Sequence, residues 1–188
     1  MKISFIPLFV TLLLALASLS AAGQSPEPVD FDKEVKAATL HRVGDTAPDF
    51  TCRATDGKPF TLSAHKGKVV LLYFFGEIPG ACVIEMSYIE KAIAKKLGNR
   101  DDLVILAIGY RMEREQVVNL AGQNKITLAL AADPQGDIFK RYYMKYVPRA
   151  VVVRKNGSIA FQRSGYKESD GVMELLEVVS RELRLPGS

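Results

Sequence analysis

Cysteine and histidine are scarce in this sequence, and tryptophan is absent. The 188 residues include two cysteines, two histidines and no tryptophan. Two cysteines cannot form the disulfide framework that stabilises many small secreted domains, so a hydrophobic core has to hold the fold together. The two histidines, His41 and His65, stand in no metal-ligand spacing with cysteine or aspartate. The sequence therefore predicts neither a disulfide scaffold nor a metal site.

Several short motifs and charge patterns are missing as well. The chain has no G-x-G-x-x-G, no P-loop and no G-x-S-x-G, which argues against a nucleotide site or a serine-hydrolase site. The formal net charge is +4, but no block of like charges is longer than a pair or a triplet. A basic stripe with interleaved aromatic residues, as expected for a nucleic-acid-binding surface, is absent. We expect no cofactor and no nucleic-acid partner.

The N-terminus has the pattern of a secretory signal peptide. Lys2 is followed by the apolar run ISFIPLFVTLLLALASL and then by the small residues SAAGQS. Ser20 and Ala22 would occupy the two small pockets of the peptidase, which predicts a signal peptide of residues 1–22. A permanent anchor is the alternative, but the run is short for a span, contains Pro7 and lacks a basic stop. We expect export, to a bacterial periplasm, with no permanent membrane span after cleavage.

The rest of the chain reads as a linker and one domain. Residues 23–42 are polar and contain two prolines, which is typical of a linker, and DFDKEVKAATL within them predicts a short helix. The packed domain is predicted over residues 43–185. With 48% hydrophobic residues in the whole chain, it has enough apolar material for a core.

The domain opens with a hairpin, a buried strand and a helix. FTCRATDGKPFTL has Asp-Gly between two short apolar runs, which is a hairpin signal. KGKVVLLYFF is a nearly continuous apolar run, as expected for a central strand that is buried on both faces. A helix is predicted after this strand, and Gly98-Asn99 should end it. Its apolar residues recur at three- and four-residue spacing: Val83, Met86, Ile89, Ile93 and Leu97.

Strand and helix patterns then alternate to the end of the chain. Strands are predicted in LVILAIGY and LALAAD, and helices in EREQVVNLAGQN, PQGDIFKRYY and GVMELLEVVSREL. Asn156-Gly157 is the tip of a closing hairpin in AVVVRKNGSIAFQRSG, which makes the sheet mixed. The order predicts an α/β fold, a three-layer sandwich with a mixed central β-sheet, helices on both faces and an N-terminal β-hairpin.

Five segments together resemble the thioredoxin superfamily: GDTAPDFT, DGKPFTLSAHKGKVVLLYFF, CVIEM, DPQGDIFKRYYMKYVPRAVVV and KNGSIAFQRSG. They are most similar to the exported TlpA/ResA-like thiol-disulfide oxidoreductases and to the redoxin (AhpC/TSA) domains. The resemblance runs from about Val43 to Leu183. It implies a thioredoxin-like fold, a thiol-dependent redox activity, and protein thiols or disulfides or a small peroxide as substrates.

The resemblance fails at the first cysteine of the family motif. The family has C-x-x-C at the junction of strand and helix, and the second cysteine is followed by x-x-E. Cys82 matches the second cysteine and Glu85 the acidic residue, whereas Pro79 occupies the position of the first cysteine. Gly76 or Ile78 lies where the family usually has tryptophan.

The resemblance also implies an active-site groove. Pro148 occupies the position of the family's cis-proline, and Val147 and Arg149 flank it, so we expect these residues and Pro79 to border the groove. Arg149 and Ala150 replace the family's usual threonine neighbours.

Three interpretations of Cys82 follow. With Pro79 in place of the first cysteine, the usual resolution of a mixed disulfide by the neighbouring thiol cannot occur. The first turn of a helix lowers a thiol pKa, so Cys82 alone could exchange disulfides or reduce a peroxide, with Arg149 as the candidate arginine. Alternatively, Cys82 is a buried thiol in a catalytically inactive module that binds a peptide or a protein partner.

Cys52 and Glu85 each have two interpretations. Cys52 alternates with Phe50 in its strand and so shares its face, which predicts a packed thiol; a disulfide with Cys82 is the alternative. Glu85 could raise the thiol pKa or accept a proton. The preferred interpretation is a first-turn acid that stabilises the helix N-terminus.

Overall fold

The computed structural model describes residues 30–76, 79–98 and 100–186. The predicted signal peptide and the first part of the predicted linker lie outside the described residues. The strands are β1 (Thr51–Arg53), β2 (Pro59–Thr61), β3 (Val69–Phe75), β4 (Leu103–Tyr110), β5 (Ala129–Asp133), β6 (Arg149–Val153) and β7 (Ile159–Ser164). The helices are α1 (Phe31–Ala37), α2 (Pro79–Ile89), α3 (Lys95–Leu97), α4 (Arg114–Asn124), α5 (Phe139–Tyr142) and α6 (Glu168–Arg184).

A five-stranded mixed sheet in the order β5-β4-β3-β6-β7 forms the middle layer. β3 pairs in parallel with β4 and antiparallel with β6, and all seven of its residues are buried. β1 and β2 form a separate two-stranded hairpin, which reaches the sheet through a bridge between Ala54 and Ala131 of β5. The predicted fold class is confirmed, because the continuous apolar run of β3 marks the strand that both layers cover.

Alternate residues of β3 enter two separate hydrophobic clusters, because successive side chains of a strand point to opposite faces. Val69, Leu71, Tyr73 and Phe75 pack with residues of α2, α4 and α6, and we call this side the α2 face. The other β3 residues, Val70, Leu72 and Phe74, pack with the hairpin and α5, and we call this side the hairpin face. The alternation assigns the side chains of β3 to the two faces, whereas at the β-bulge of β7 the neighbours Ala160 and Phe161 both pack on the α2 face.

The end of the predicted linker is attached to the domain. The short helix predicted there is α1, and Ala38 directly after it is only 1% exposed. Two backbone hydrogen bonds join this segment to the end of α5, from Leu40 N to Tyr142 O (3.0 Å) and from Met144 N to Ala38 O (2.9 Å). Residues 30–40 are thus part of the folded unit and not a free tether, because their backbone pairs with it.

The helix after β3 differs from the regular helix that its spacing predicts. A π-helical segment (Glu90–Ala94) connects α2 to α3. The carboxylate of Glu90 is buried and accepts hydrogen bonds from the backbone N–H and the hydroxyl of Thr127. Met86, Ile89 and Ile93 still face the core, so the apolar spacing predicted the buried face but not the change of helix type.

Candidate thiol site

Cys82 lies in the first turn of α2, directly after the central strand. α2 begins at Pro79, a position where the missing N–H of proline costs the helix no hydrogen bond. The Cys82 thiol is free and packs in the cluster of the α2 face with Tyr73 and Met86. It is only 4% exposed. A proline at the first-cysteine position is therefore compatible with the helix start, and a buried thiol remains behind it.

The environment of the sulfur does not favour the thiolate. Burial raises the pKa of the Cys82 thiol, and the charge of Glu85 raises it further. The backbone N–H of Gly76 and the hydroxyl of Tyr73 stabilise the thiolate and oppose this rise. The prediction of a lowered thiol pKa from the helix N-terminus is wrong, because desolvation outweighs these donors.

Glu85 is a buried carboxylate and not a solvent-facing first-turn acid. Its side chain is 0% exposed and forms an ion pair with Arg163 of β7. The hydroxyl of Tyr73 donates to Glu85 Oε2 at 3.0 Å and also lies 3.3 Å from the backbone carbonyl oxygen of Cys82. Burial raises the pKa of Glu85, and the Arg163 guanidinium opposes that rise. The preferred interpretation of Glu85 is thus wrong, since its carboxylate faces the core.

Arg163 reaches Glu85 through a gap left by a glycine of α6. A Cβ atom on Gly171 would collide with Arg163 Nη1. Nη1 itself is buried and has no hydrogen-bond partner among the described residues, whereas Nη2 contacts Glu85. Tyr73, Glu85 and Arg163 therefore form one buried polar cluster beside Cys82, and we call it the Glu85 cluster.

Sequence reasoning missed Tyr73 and Arg163. Tyr73 stood inside an apolar run, where its hydroxyl gave no separate signal. Arg163 follows Phe161 by two residues in β7, so both lie on the same face, and Phe161 packs on the α2 face. That alternation could have identified Arg163, but nothing in the sequence shows that Gly171 makes room for it.

The Val147–Pro148 loop lies against the strand end that leads to Cys82. The Val147–Pro148 peptide bond is cis, at the position that the resemblance implied. A Cβ atom on Gly76 would lie 2.8 Å from Val147 Cγ2, so any other residue there would have to displace the Val147 side chain. Gly76 thereby lies between the Val147 side chain, which packs on the hairpin face, and Cys82, whose thiolate its N–H stabilises.

Arg149 belongs to the hairpin face, which corrects the expectation that it borders the thiol site. It is paired in register with Phe74, and its guanidinium lies 4.3 Å from the centre of the Tyr143 ring. Nη1 donates to Thr39 Oγ1, and Nε and Nη2 donate to the backbone carbonyls of Tyr146 and Lys145. The pairing register of β6 with β3 places the Arg149 side chain on the hairpin face. Arg163 instead lies on the α2 face, the side of Cys82.

Cys52 also packs on the hairpin face, as its alternation with Phe50 predicts. Burial raises the pKa of its thiol to about 11, with a contribution from the charge of Asp133. Both cysteines are free thiols. The disulfide considered between Cys52 and Cys82 is absent because the sheet separates the two clusters in which they pack.

Two negative findings hold for residues 30–76, 79–98 and 100–186. No three His, Cys, Asp or Glu side chains are grouped so that they could hold a metal ion. No helix is long and apolar enough to cross a membrane.

Comparison with known proteins gives one family model and several relatives. The family model is Redoxin, and it matches residues 42–176. The thiol-disulfide oxidoreductase ResA of Geobacillus thermodenitrificans is 26% identical over 170 residues, which is 90% of this chain and 92% of ResA. ResA of Bacillus cereus is 27% identical over 173 residues, 92% of this chain and 96% of that protein.

Solved structures resemble the chain as well. The solution structure of a Bacteroides thetaiotaomicron protein, provisionally described as a protein disulfide isomerase, matches with a TM-score of 0.75 and 33% sequence identity. The match covers 79% of this chain and 94% of the other. The range matched by the Redoxin model includes both Cys82 and the cis-proline Pro148.

Proposed function

The chain belongs to the redoxin family of the thioredoxin superfamily, and from that membership and the surroundings of Cys82 we propose that it is a thiol-dependent oxidoreductase that works with a single thiol. The observation that carries the proposal is the position of Cys82. It lies in the first turn of α2, where the Gly76 N–H stabilises its thiolate, and Tyr73 of the Glu85 cluster lies 3.3 Å from its backbone carbonyl oxygen. Gly76 in turn packs against Val147 of the cis-proline loop. These groups surround the position of the family's second cysteine, although Pro79 replaces the first.

The proposed reaction is disulfide exchange with a partner protein. The Cys82 thiolate attacks one sulfur of a partner disulfide, so that a mixed disulfide forms and the second partner sulfur leaves and takes up the proton lost by Cys82. A thiol from outside the chain then attacks the partner's sulfur in the mixed disulfide and releases Cys82. The external thiol is needed because Pro79 provides no neighbouring sulfur to resolve the bond.

A raised pKa slows this reaction without preventing it. Each unit of thiol pKa above the ambient pH lowers the thiolate fraction tenfold but increases the intrinsic nucleophilicity by about threefold. The net loss is therefore roughly threefold per unit. Access matters more, since Cys82 is only 4% exposed. Exchange requires that the surroundings of Cys82 open to a partner, and we expect low rates with bulky disulfides.

A turnover assay tests the proposal. The full chain, its Cys82→Ser variant and its Cys52→Ser variant are compared for reduction of a small disulfide by excess glutathione. We expect the Cys52→Ser variant to keep at least half of the activity of the unmodified chain and the Cys82→Ser variant to fall to the uncatalysed rate. Equal activity of the two variants would overturn the proposal.

A catalytically inactive module that binds a peptide or protein is the second candidate. It is favoured by the burial of Cys82 and by its raised pKa, both of which reduce reactivity. The partner would lie along the Val147–Pro148 loop. This candidate predicts that no form of the protein accelerates disulfide reduction and that Cys82→Ser leaves binding of any captured partner unchanged.

Peroxide reduction through Cys82 has less support. In that reaction a thiolate–oxygen bond forms as the O–O bond breaks, which gives a sulfenic acid that an external thiol must reduce. Arg149, the arginine expected to assist it, lies on the hairpin face, and Arg163 is paired with Glu85. A peroxide-consumption assay on the Cys52→Ser variant would reveal this activity.

The proposal extends to the cellular location. The charged start, the apolar run and the small residues of segment 1–22 support export to a periplasm. Expression of the full chain with a C-terminal tag, followed by fractionation and N-terminal sequencing, tests this. We expect a periplasmic product that begins at Gly23. A cytoplasmic product that retains segment 1–22 would contradict export.

A further inference from the structure

A second concave site lies between α1 and the β7 edge of the sheet, and Cys82 is not part of its lining. It is a cavity of about 410 Å³ between α1, the segment that follows α1, and the ends of β6 and β7. Its walls include two apolar side chains, Val35 and Val43, and the polar ends of the adjoining strands. We call it the basic cavity, because its lining contains lysine, arginine and histidine side chains but no aspartate or glutamate.

Two exposed cations of the basic cavity have no acidic partner. Lys36 lies at the end of α1 and Arg42 lies shortly after it. Neither side chain takes part in an ion pair with the residues that the structure describes. His41, between them in the lining, contacts the backbone carbonyl of Arg141. The Asp45 carboxylate lies nearby and accepts a hydrogen bond from the backbone N–H of Arg42 (2.7 Å), but it forms no ion pair with either side chain among the described residues, so the charged ends of Lys36 and Arg42 remain available to a ligand.

A third cation of the cavity is buried. Arg149 is 2% exposed, and its hydrogen-bond acceptors are a hydroxyl and two backbone carbonyls, with no carboxylate among the described residues. Burial lowers the pKa of its guanidinium, as expected for a charge without a counterion. Three of its five N–H groups are used, so two remain for a ligand. A buried charge without a counterion is costly, and an anion in the cavity would reduce that cost.

Ser164 supplies an independent observation. It is the direct register partner of Arg149, so both side chains lie on the same face of the sheet. Its hydroxyl oxygen is buried and has no hydrogen-bond partner in the described part of the chain. A buried hydroxyl normally has a partner, so an unpaired one beside a cation in the lining of a cavity indicates a missing acceptor.

We infer that the basic cavity binds a small organic oxyanion, a carboxylate or a phosphate, through Arg149, Ser164, Lys36 and Arg42. The Ser164 hydroxyl and the free N–H groups of Arg149 would donate to the oxyanion at the floor. Val35 and Val43 would contact a short apolar part of the ligand. The inference does not rest on the proposed redox function, because none of these four residues belongs to the Glu85 cluster; Arg163, which also lines the cavity, is already paired with Glu85.

Binding is tested on the full chain by calorimetric titration at constant ionic strength. The probes are succinate for the carboxylate and inorganic phosphate for the phosphate, with neutral succinamide as the control ligand. We expect saturable binding of one oxyanion per chain and none of succinamide. Binding of succinate alone or of phosphate alone identifies the class of ligand. Absence of saturable binding for both oxyanions would overturn the inference.

Variants distinguish the basic cavity from general attraction to a cationic protein. The double variant Lys36→Gln/Arg42→Gln should weaken binding at least tenfold, and Ser164→Ala should weaken it about fivefold. The matched control Lys91→Gln/Lys95→Gln removes two exposed charges elsewhere and should change binding less than twofold. If the control weakens binding as much as the cavity variant does, the oxyanion does not bind in the basic cavity and the inference is overturned. Circular dichroism of each variant verifies the fold.

Discussion

The two cysteines of this chain lie on opposite faces of one sheet, and burial raises the pKa of both thiols. Around Cys52 the other contribution is the charge of Asp133, which also disfavours the thiolate. Around Cys82 some groups raise the thiol pKa and others lower it. Glu85 disfavours the thiolate, while the Gly76 N–H and the Tyr73 hydroxyl stabilise it. Burial alone does not distinguish the two thiols, but the presence of groups that stabilise the thiolate, above all the Gly76 N–H, distinguishes Cys82.

The contrast between the surroundings of Cys52 and Cys82 indicates that the polar groups around a thiol, and not its burial, identify the candidate site. Cys82 is the less exposed of the two, yet only on its side does a buried ion pair lie next to the thiol within the described residues. Even a paired set of buried charges is often no more stabilising than apolar residues of similar volume, because both charges lose their hydration, so packing alone does not explain the Glu85 cluster. The predictions below test whether the α2 face depends on this cluster.

The largest effect is expected from Arg163→Met. The substitution leaves the Glu85 carboxylate buried without its counterion, which should lower the free energy of unfolding by about 3–5 kcal/mol. Urea denaturation at neutral pH measures it. The control is Arg100→Met, which removes an exposed ion pair with Asp102 and should cost about 0–1 kcal/mol. Equal losses in the two variants would show that the buried pair has no special role.

Tyr73→Phe should have the next largest effect. It removes the hydroxyl that donates to the Glu85 carboxylate, and a hydrogen bond to a charged group contributes about 1.5–3 kcal/mol. The matched variant on the hairpin face is Tyr143→Phe, whose hydroxyl contacts the neutral Gln162 amide oxygen at 3.3 Å. That loss should be about 0.5–1.5 kcal/mol. Urea denaturation of both variants measures the difference, and the reverse order would contradict this account of the α2 face.

Gly171→Ala should be destabilising, although alanine normally favours a helix. The new Cβ would force Arg163 away from Glu85, and overpacking of this kind costs about 1–3 kcal/mol. Gly122→Ala in α4 is the control, because nothing lies within 4 Å of its Cβ position. There we expect a gain of up to about 1 kcal/mol. Thermal unfolding of both variants measures the two changes, and a gain at both positions would show that Arg163 moves freely.

The smallest effect concerns the pH dependence of Cys52. Because the pKa of its thiol is raised to about 11, the thiolate fraction at a given pH is lower than in an ordinary thiol. In the Cys82→Ser variant, the rate of alkylation by iodoacetamide should rise about tenfold per pH unit from pH 7 to pH 10 without levelling off. A plateau below pH 9 would contradict the raised pKa.

The fold could be predicted because its signals are local. The seven-residue apolar run of β3, the Asn156-Gly157 turn and the helical spacing after Cys82 each depend on neighbouring residues. No local sequence signal marks the π-helical segment. Its buried Glu90 accepts a hydrogen bond from Thr127, which is distant in the sequence. Position in the sequence alone does not reveal that contact.

The site could be predicted less well because it depends on register and burial. The resemblance gave Cys82, Glu85 and Pro148, but it could not decide which face Arg149 occupies, which follows from its pairing with Phe74. Helix position alone suggested a lowered thiol pKa for Cys82. The pKa is raised because desolvation depends on how α2 packs, and packing is not visible in a motif.

Site mapping in a chain that retains both cysteines tests the central claim most directly. The folded protein is incubated at pH 8 with isotope-labelled oxidised glutathione, digested without reduction, and analysed by peptide mass spectrometry. We predict a mixed disulfide almost entirely at Cys82, with Cys52 labelled only after unfolding in urea. Labelling mainly at Cys52, or at neither cysteine until the protein is unfolded, would contradict the proposal that Cys82 is the reactive thiol.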